Sequence, residues 1–217
     1  IAPIFVLAVL AKPGIRKYWF GQWSAAVLFL ALVATRSLAG IVSVTAVLLF
    51  AFLQRRIKIS FVAILGVALL LAVPILWQKM TYLVQPNSSA HVRLQLWSIS
   101  AELIRERPIA GIGLGVFEPF YQQKLHERFA AGVQGLLPEF VFRDPHNWIL
   151  SFWLNCGLLG MVSFAGIHVY IFQKTKKLQP THYALIALLL FGLVDTIYWK
   201  NDLAVLHWVL LGLVLRL

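Results

Sequence analysis

Apolar runs of about one bilayer's length recur along this chain, and the turns between them are short and mostly basic. The runs are Tyr18 to Ala34, Leu38 to Leu53, Ile59 to Trp77, Trp148 to Phe172, Tyr183 to Trp199 and Leu203 to Leu215. At about 1.5 Å rise per residue, a run of about 17 covers roughly 25 Å, enough to cross a membrane core with flanking anchors. Ile1 to Ala11 reads as the tail of a further helix, so the expectation is the C-terminal part of a longer protein. Composition closes off the soluble alternative. The chain is 60% hydrophobic and only 12% charged, whereas soluble domains carry about 25% charge to cover their surface. Cys156 is the single cysteine and permits no internal disulfide framework. The expected fold class is an all-α integral membrane protein, a polytopic bundle of about six or seven transmembrane helices.

The net charge of +11 is a topology signal. Three short loops are purely basic: Lys12-Pro-Gly-Ile-Arg16-Lys17, Arg55-Arg56-Ile-Lys58 and Lys174-Thr-Lys176-Lys177. They fall at alternate turns of the helix series, so the positive-inside rule places all three in the cytoplasm. The Thr35-Arg36-Ser37 turn, the long segment 78–145 and the Lys200-Asn-Asp202 turn then share the opposite face. A nucleic-acid partner is a poor explanation of charge distributed in this way.

Residues 78–145 differ in character, with seven Lys/Arg against six Asp/Glu. This near balance predicts a water-facing subdomain between transmembrane segments 1–77 and 146–217. Within it, His91 to Arg107 reads as an amphipathic helix. Val92, Leu96, Ile99 and Leu103 recur at helical spacing, while Arg93, Gln95, Glu102 and Glu106 lie elsewhere around it. Pro108 and the glycines at 111, 113 and 115 end it, and Phe117 to Phe129 predicts a second surface helix. The Gly111-Ile-Gly113-Leu-Gly115 stretch lacks the strand and helix that a nucleotide loop requires. A backbone in close approach after a helix stop explains it better.

Few residues outside the apolar pattern could carry chemistry. Arg36, in a three-residue turn, reads either as a snorkelling interface arginine or as an anion ligand whose planar fork suits phosphate. Arg93 opens the amphipathic helix with Trp97 one turn later. Asp144-Pro145-His146-Asn147 leads into a long helix, with Asp144 a plausible cap and His146 expected at the water–membrane boundary. Histidine there can accept a proton at neutral pH or stay charged beside a phosphate. Asp195 interrupts an apolar run near its outer end and requires a partner, Arg36 or Lys200 by position. His168 and His207 read as packing residues, and the six histidines show no metal-ligand spacing.

Taken in order, these features resemble the bacterial O-antigen ligase and O-antigen polymerase superfamily. The carriers are Arg36 in its turn, Arg93-Leu-Gln-Leu-Trp97, Pro108-Ile-Ala-Gly111-Ile-Gly113, His146-Asn147-Trp-Ile-Leu150, Gly157-Leu-Leu-Gly160 and Gly192-Leu-Val-Asp195. The resemblance covers Thr35 to the end, and implies a multi-pass protein of the bacterial inner membrane with its active face in the periplasm. The implied activity is metal-independent, cofactor-free glycosyl transfer from an undecaprenyl-diphosphate-linked glycan. The acceptor would be a lipid A core for a ligase, or another lipid-linked glycan for a polymerase.

Carried over by residue, the resemblance makes Arg36 and Arg93 the diphosphate-holding arginines and His146 the loop histidine. Trp97, Asn147 and Asp195 complete the expected substrate-binding set. The aromatics Trp97, Phe117, Tyr121 and Trp148 could stack on sugar or anchor the interface. Two rival classes remain at this level. A transporter or flippase would show discontinuous helices, repeated halves or midplane polar groups. A non-catalytic membrane scaffold would scatter Arg36, Arg93 and His146.

Overall fold

The structure is a computed structural model and describes residues 2–10, 27–28, 30–35, 37–54, 77, 81, 85, 88–139, 141–175, 177–195, 197 and 201–215. Regular structure among them is helical. In chain order the helices are α1 (Ala2–Leu10), α2 (Leu38–Leu53), α3 (Ser89–Glu106), α4 (Phe117–Ala130), α5 (Trp148–Lys174), α6 (Pro180–Phe191) and α7 (Asn201–Leu215). The chain forms two compact units. One comprises residues 1–79, 176–191 and 202–217; the other comprises 80–175 and 192–201.

In the first unit α6 packs against α1 and α2. Val6, Val9, Val44, Val47, Leu48, Tyr183, Leu185 and Leu188 fill the interior. Ser37 starts α2 by accepting a hydrogen bond from the Gly40 N–H at 3.2 Å, which satisfies one of the donors orphaned at a helix N-terminus. Ile4, Val42, Leu49, Leu53 and Trp208 point outward and are exposed. Helices apolar both inside and out suit a hydrocarbon surround rather than water.

The expected run Leu38 to Leu53 coincides with α2, and Leu203 to Leu215 lies within α7. Tyr18 to Ala34 and Ile59 to Trp77 fall largely outside the described residues, although 30–34 are helical. The run Tyr183 to Trp199 requires correction, because α6 ends at Phe191 and residues 192–195 form turns. Hydropathy alone could not mark that end, since Gly192, Leu193 and Val194 are apolar. Among the described helices α5 alone is long and apolar enough to cross a membrane by length and composition, while α2, α6 and α7 are shorter apolar helices.

The second unit is built on α3. Its predicted apolar stripe of Val92, Leu96, Ile99 and Leu103 is buried against Phe117, Tyr121 and Leu125 of α4 and Leu154 of α5. Gln95, expected on the polar face, is buried as well. Its amide donates to the Tyr121 hydroxyl at 2.8 Å and the Leu137 carbonyl at 3.1 Å, and its Oε1 accepts the Leu137 N–H at 2.8 Å. A buried amide so satisfied carries little desolvation penalty and pins the returning segment to the helix pair. Helical periodicity cannot reveal a polar side chain whose partners come from a loop.

Charged groups clasp α3 to α4 along their partly exposed side. Arg128 Nη2 lies 2.8 Å from Glu102 Oε2, and Lys124 Nζ lies 3.2 Å from Glu102, with Glu106 and Glu127 also in reach. Hydrogen bonding from Arg128 above all, then from Lys124, holds the Glu102 carboxyl below its usual range. The pairs are partly exposed and screened, so the network matters more than any one of them.

α5 is not one continuous helix. Gly157 has φ 69° and ψ −173°, and separates Trp148–Cys156 from Leu158–Lys174. Such a break frees backbone groups that must find partners. The glycine-rich loop after α3 supplies them. The Leu154 carbonyl accepts from Ile112 N–H at 2.7 Å and Gly113 N–H at 3.3 Å, while Leu158 N–H donates to the Ile109 carbonyl at 3.0 Å. Asn155 Oδ1 accepts from Gly115 N–H at 3.0 Å, and Trp153 Nε1 donates to the Pro108 carbonyl at 2.7 Å. Loop and break are complementary halves of one joint.

Two predictions follow from these contacts. A Cβ at Gly111 or Gly157 would collide with the backbone of Leu154 or Ile109 respectively, at a positive φ in both cases. Gly111→Ala and Gly157→Ala should therefore each cost at least about 1–3 kcal/mol, seen as a lowered melting temperature in detergent. Gly166→Ala, with open space around it, should melt at or above wild type. The second concerns pH. A carboxyl depressed in the folded state contributes stability above its unfolded pKa and loses it as pH falls through the folded value. Glu102→Gln should thus be less stable than wild type at neutral pH, and the two melting curves should converge under acid titration.

Candidate functional site

The site assembles where the start of α5 meets the turn after α6. Asn147 caps α5, its Oδ1 accepting from Ile149 N–H at 2.9 Å and Leu150 N–H at 3.2 Å. The cap is therefore Asn147 and not Asp144 as the sequence suggested. Asp144 acts one step earlier, its Oδ1 accepting the His146 N–H at 2.9 Å, a turn that aspartate side chains favour. Two residues serve two turns because the chain reverses before the helix begins.

His146 lies between them with φ 51°, a left-handed conformation uncommon for a residue with a Cβ. Such strain persists only when the surroundings over-determine it. Here the Asp144 carboxylate holds the His146 N–H, Trp97 Nε1 donates to the Pro145 carbonyl at 3.0 Å, and Phe142 stands edge-on to the imidazole at 5.9 Å. The ring remains partly open, with 28% of the side chain exposed. Its Nδ1 lies 3.6 Å from Asp195 Oδ1 and 3.9 Å from Asp144 Oδ1. These are ion-pair separations, longer than a hydrogen bond. The acid that sequence position would pair with Arg36 or Lys200 thus faces His146; both of those cations lie outside the described residues.

Three consecutive carbonyls bring Asp195 to this place. Trp148 N–H donates to Gly192 O at 2.9 Å, Asn147 Nδ2 to Leu193 O at 2.8 Å and Arg93 Nε to Val194 O at 2.7 Å. Gly192 also packs so tightly on Trp148 and Ile197 that a Cβ would overlap Ile197. Arg93 is fixed further by Nη1 donating to Ser89 O at 3.3 Å, and its charge stands one residue from Asp195. The structure therefore brings together Arg93, Trp97, His146, Asn147 and Asp195, residues separated by about a hundred positions in sequence.

The other expected residues fare differently. Arg36 lies outside the described residues. Its neighbours Thr35 and Ser37 line an apolar cavity of about 160 Å³ with Leu32, Gly40, Leu188 and Leu203. Phe117 and Tyr121 cannot stack on sugar, because both are fully buried and the Tyr121 hydroxyl donates to the Glu139 carbonyl at 3.0 Å. His168 and His207 are buried, as packing roles require. Sequence reasoning missed Phe142 and the latching role of carbonyls 192–194, for which side-chain identity carries no signal.

Chemically, the cluster sets the His146 Nδ1 at ion-pair distance from two carboxylates, those of Asp144 and Asp195. A guanidinium alongside suits an anionic oxygen. Serine at position 147 keeps a capping oxygen and loses the amide donor to Leu193. Asn147→Ser should therefore cost about 1 kcal/mol and raise amide exchange selectively over residues 192–195. Unchanged exchange there would show that the latch does not depend on this bond.

A comparison with curated proteins finds no match. A family profile described as O-antigen ligase matches residues 23–165, a stretch that contains Arg36, Arg93, Trp97, His146 and Asn147 and stops short of Asp195. A match over more than half of the chain, spanning the histidine turn and the loop that joins the broken helix, makes this protein a member of the O-antigen ligase family.

Proposed function

We propose that this chain transfers a glycan from an undecaprenyl-diphosphate carrier to an acceptor hydroxyl, on the periplasmic face of a bacterial inner membrane. The family supports a glycosyltransferase of the O-antigen ligase or polymerase type. The observation that carries the finer reading is the pairing of a strained, partly open His146 with Asp195, beside an arginine whose Nε holds the same turn.

In this mechanism Asp195 orients His146 through Nδ1, and Nε2 removes the proton of the acceptor hydroxyl as that oxygen attacks the anomeric carbon. The diphosphate leaves with growing negative charge. Arg93 and Arg36 stabilise it, and fixed cations aimed at such charge are worth about 3–4 kcal/mol each. Among the described residues Arg93 spends Nε and Nη1 on carbonyls, which leaves Nη2 for phosphate oxygen. Trp97 and Asn147 form the wall of the site and hold the histidine turn. The acceptor is a lipid A core in a ligase or a lipid-linked glycan in a polymerase, and the bilayer supplies the donor. The water-facing part of the chain, 78–145, then lies between membrane segments 1–77 and 146–217.

A transporter reading would draw on the discontinuous α5, since broken helices often hold substrates. Here the groups freed at Gly157 are taken up by the 109–113 backbone, so the break serves a structural joint.

Reconstitution with an undecaprenyl-diphosphate-linked oligosaccharide, with and without lipid A core, tests the proposal. Asparagine tolerates a positive φ, so His146→Asn should fold and bind donor while transfer falls by about 10²–10⁴-fold. A ladder on the carrier alone marks a polymerase, and transfer only to added core marks a ligase. Transfer at the wild-type rate by His146→Asn would remove the base from this scheme.

A further inference from the structure

The joint at Gly157 has a location as well as a shape. The half of α5 before it, Trp148–Cys156, packs on α3 through Leu150, Trp153 and Leu154. α3 and α4 carry Glu102, Glu106, Lys124 and Arg128 in partly exposed pairs. Several charges in water-accessible pairs are costly at hydrocarbon depth, so this half-helix belongs on the water side. The half after the break, Leu158–Lys174, rises about 25 Å, close to a hydrocarbon core of about 30 Å. It ends at the basic run that begins with Lys174.

The loop that fills the break is itself apolar on its open side. No charged residue occurs from Pro108 to Phe117. Ile109 is 77% exposed and Leu114 66%, and Leu159 across the joint is 76% exposed. Arg105 and Arg107, just before the loop, are both exposed. An apolar tip with basic residues behind it matches the layering of a membrane interface, with hydrocarbon beneath phosphate. The backbone of such a loop must be satisfied to enter that layer, and the Leu154 and Leu158 hydrogen bonds achieve this at the break itself.

We propose that the Pro108–Gly115 loop is a lipid-contacting surface. Ile109 and Leu114 insert at the outer edge of the bilayer hydrocarbon, level with the break at Gly157, and Arg105 and Arg107 stand at the phosphate layer. The partner is the bilayer itself, and the membrane boundary on this unit lies at Gly157 rather than at the histidine turn. The inference rests on the reading of Leu158–Lys174 as a membrane span. It places the His146 cluster above the lipid surface, at the start of the water-side half-helix.

Spin labels on single cysteines test this in the full chain, reconstituted in phosphatidylethanolamine and phosphatidylglycerol vesicles. Cys156 is exposed, so Cys156→Ser provides the background. Labels replace Ile109, Leu114, Val162 and Gln123, and collisions with oxygen are compared with those of a water-soluble nickel chelate. Oxygen should dominate at 162, dominate more weakly at 109 and 114, and give way to nickel at 123. Nickel dominance at 109 and 114, with 162 still in lipid, would overturn the loop's role and leave the span intact. Labels at 109 and 114 as deep as at 162 would overturn the boundary at the break. Nickel dominance at 162 would sink the span and this inference with it.

Discussion

Three backbone carbonyls in a row organise the candidate site. Gly192, Leu193 and Val194 each accept a hydrogen bond from a different donor, the Trp148 N–H, the Asn147 amide and the Arg93 guanidinium. A helix continuing through this stretch would use those carbonyls internally. Surrendering them to tertiary donors stops α6 at Phe191 and turns the chain so that Asp195 faces His146. A charged donor at 2.7 Å is among the stronger of such bonds. Arg93 is thus committed to architecture through Nε and Nη1, which hold Val194 O and Ser89 O.

The same economy governs the Gly157 joint. A break in a helix costs backbone hydrogen bonds, and a glycine-rich loop costs conformational entropy to hold. Each satisfies the other, because the loop's N–H groups and carbonyl meet the carbonyl and N–H that the break exposes. The two strained features are one interaction. It ties the amphipathic pair α3 and α4 to the lower end of the half-helix whose upper end carries the histidine turn. The histidine turn and this joint thus stand at the two ends of one half-helix, Trp148–Cys156.

Periodicity was informative where a side chain's neighbours lie on its own helix face. The stripe through Val92, Leu96, Ile99 and Leu103 is buried as the spacing requires, and α2 begins and ends where hydropathy places it. It failed at Gln95, at the end of α6 and inside α5. Gln95 is buried because Leu137 and Tyr121 complete its hydrogen bonds. The α6 terminus and the α5 break are written in backbone acceptors, which every residue carries alike. Phe117 and Tyr121 illustrate the converse. Their aromatic character fits a sugar platform as well as a core, and only packing shows that they belong to the core.

The sequence by itself determined the helical class, the apolar runs that form α2 and α7, the buried stripe of α3 and the identities of the residues worth watching. Those properties follow from transfer free energies and helical periodicity, which are local. The tertiary structure decided which acid meets His146, which residue caps α5 and what the glycines of the 111–115 loop accomplish. The cap rests on local hydrogen bonds, while the other two outcomes rest on groups brought together from distant parts of the chain. Such a pairing is a matter of position in space, on which composition and spacing are silent.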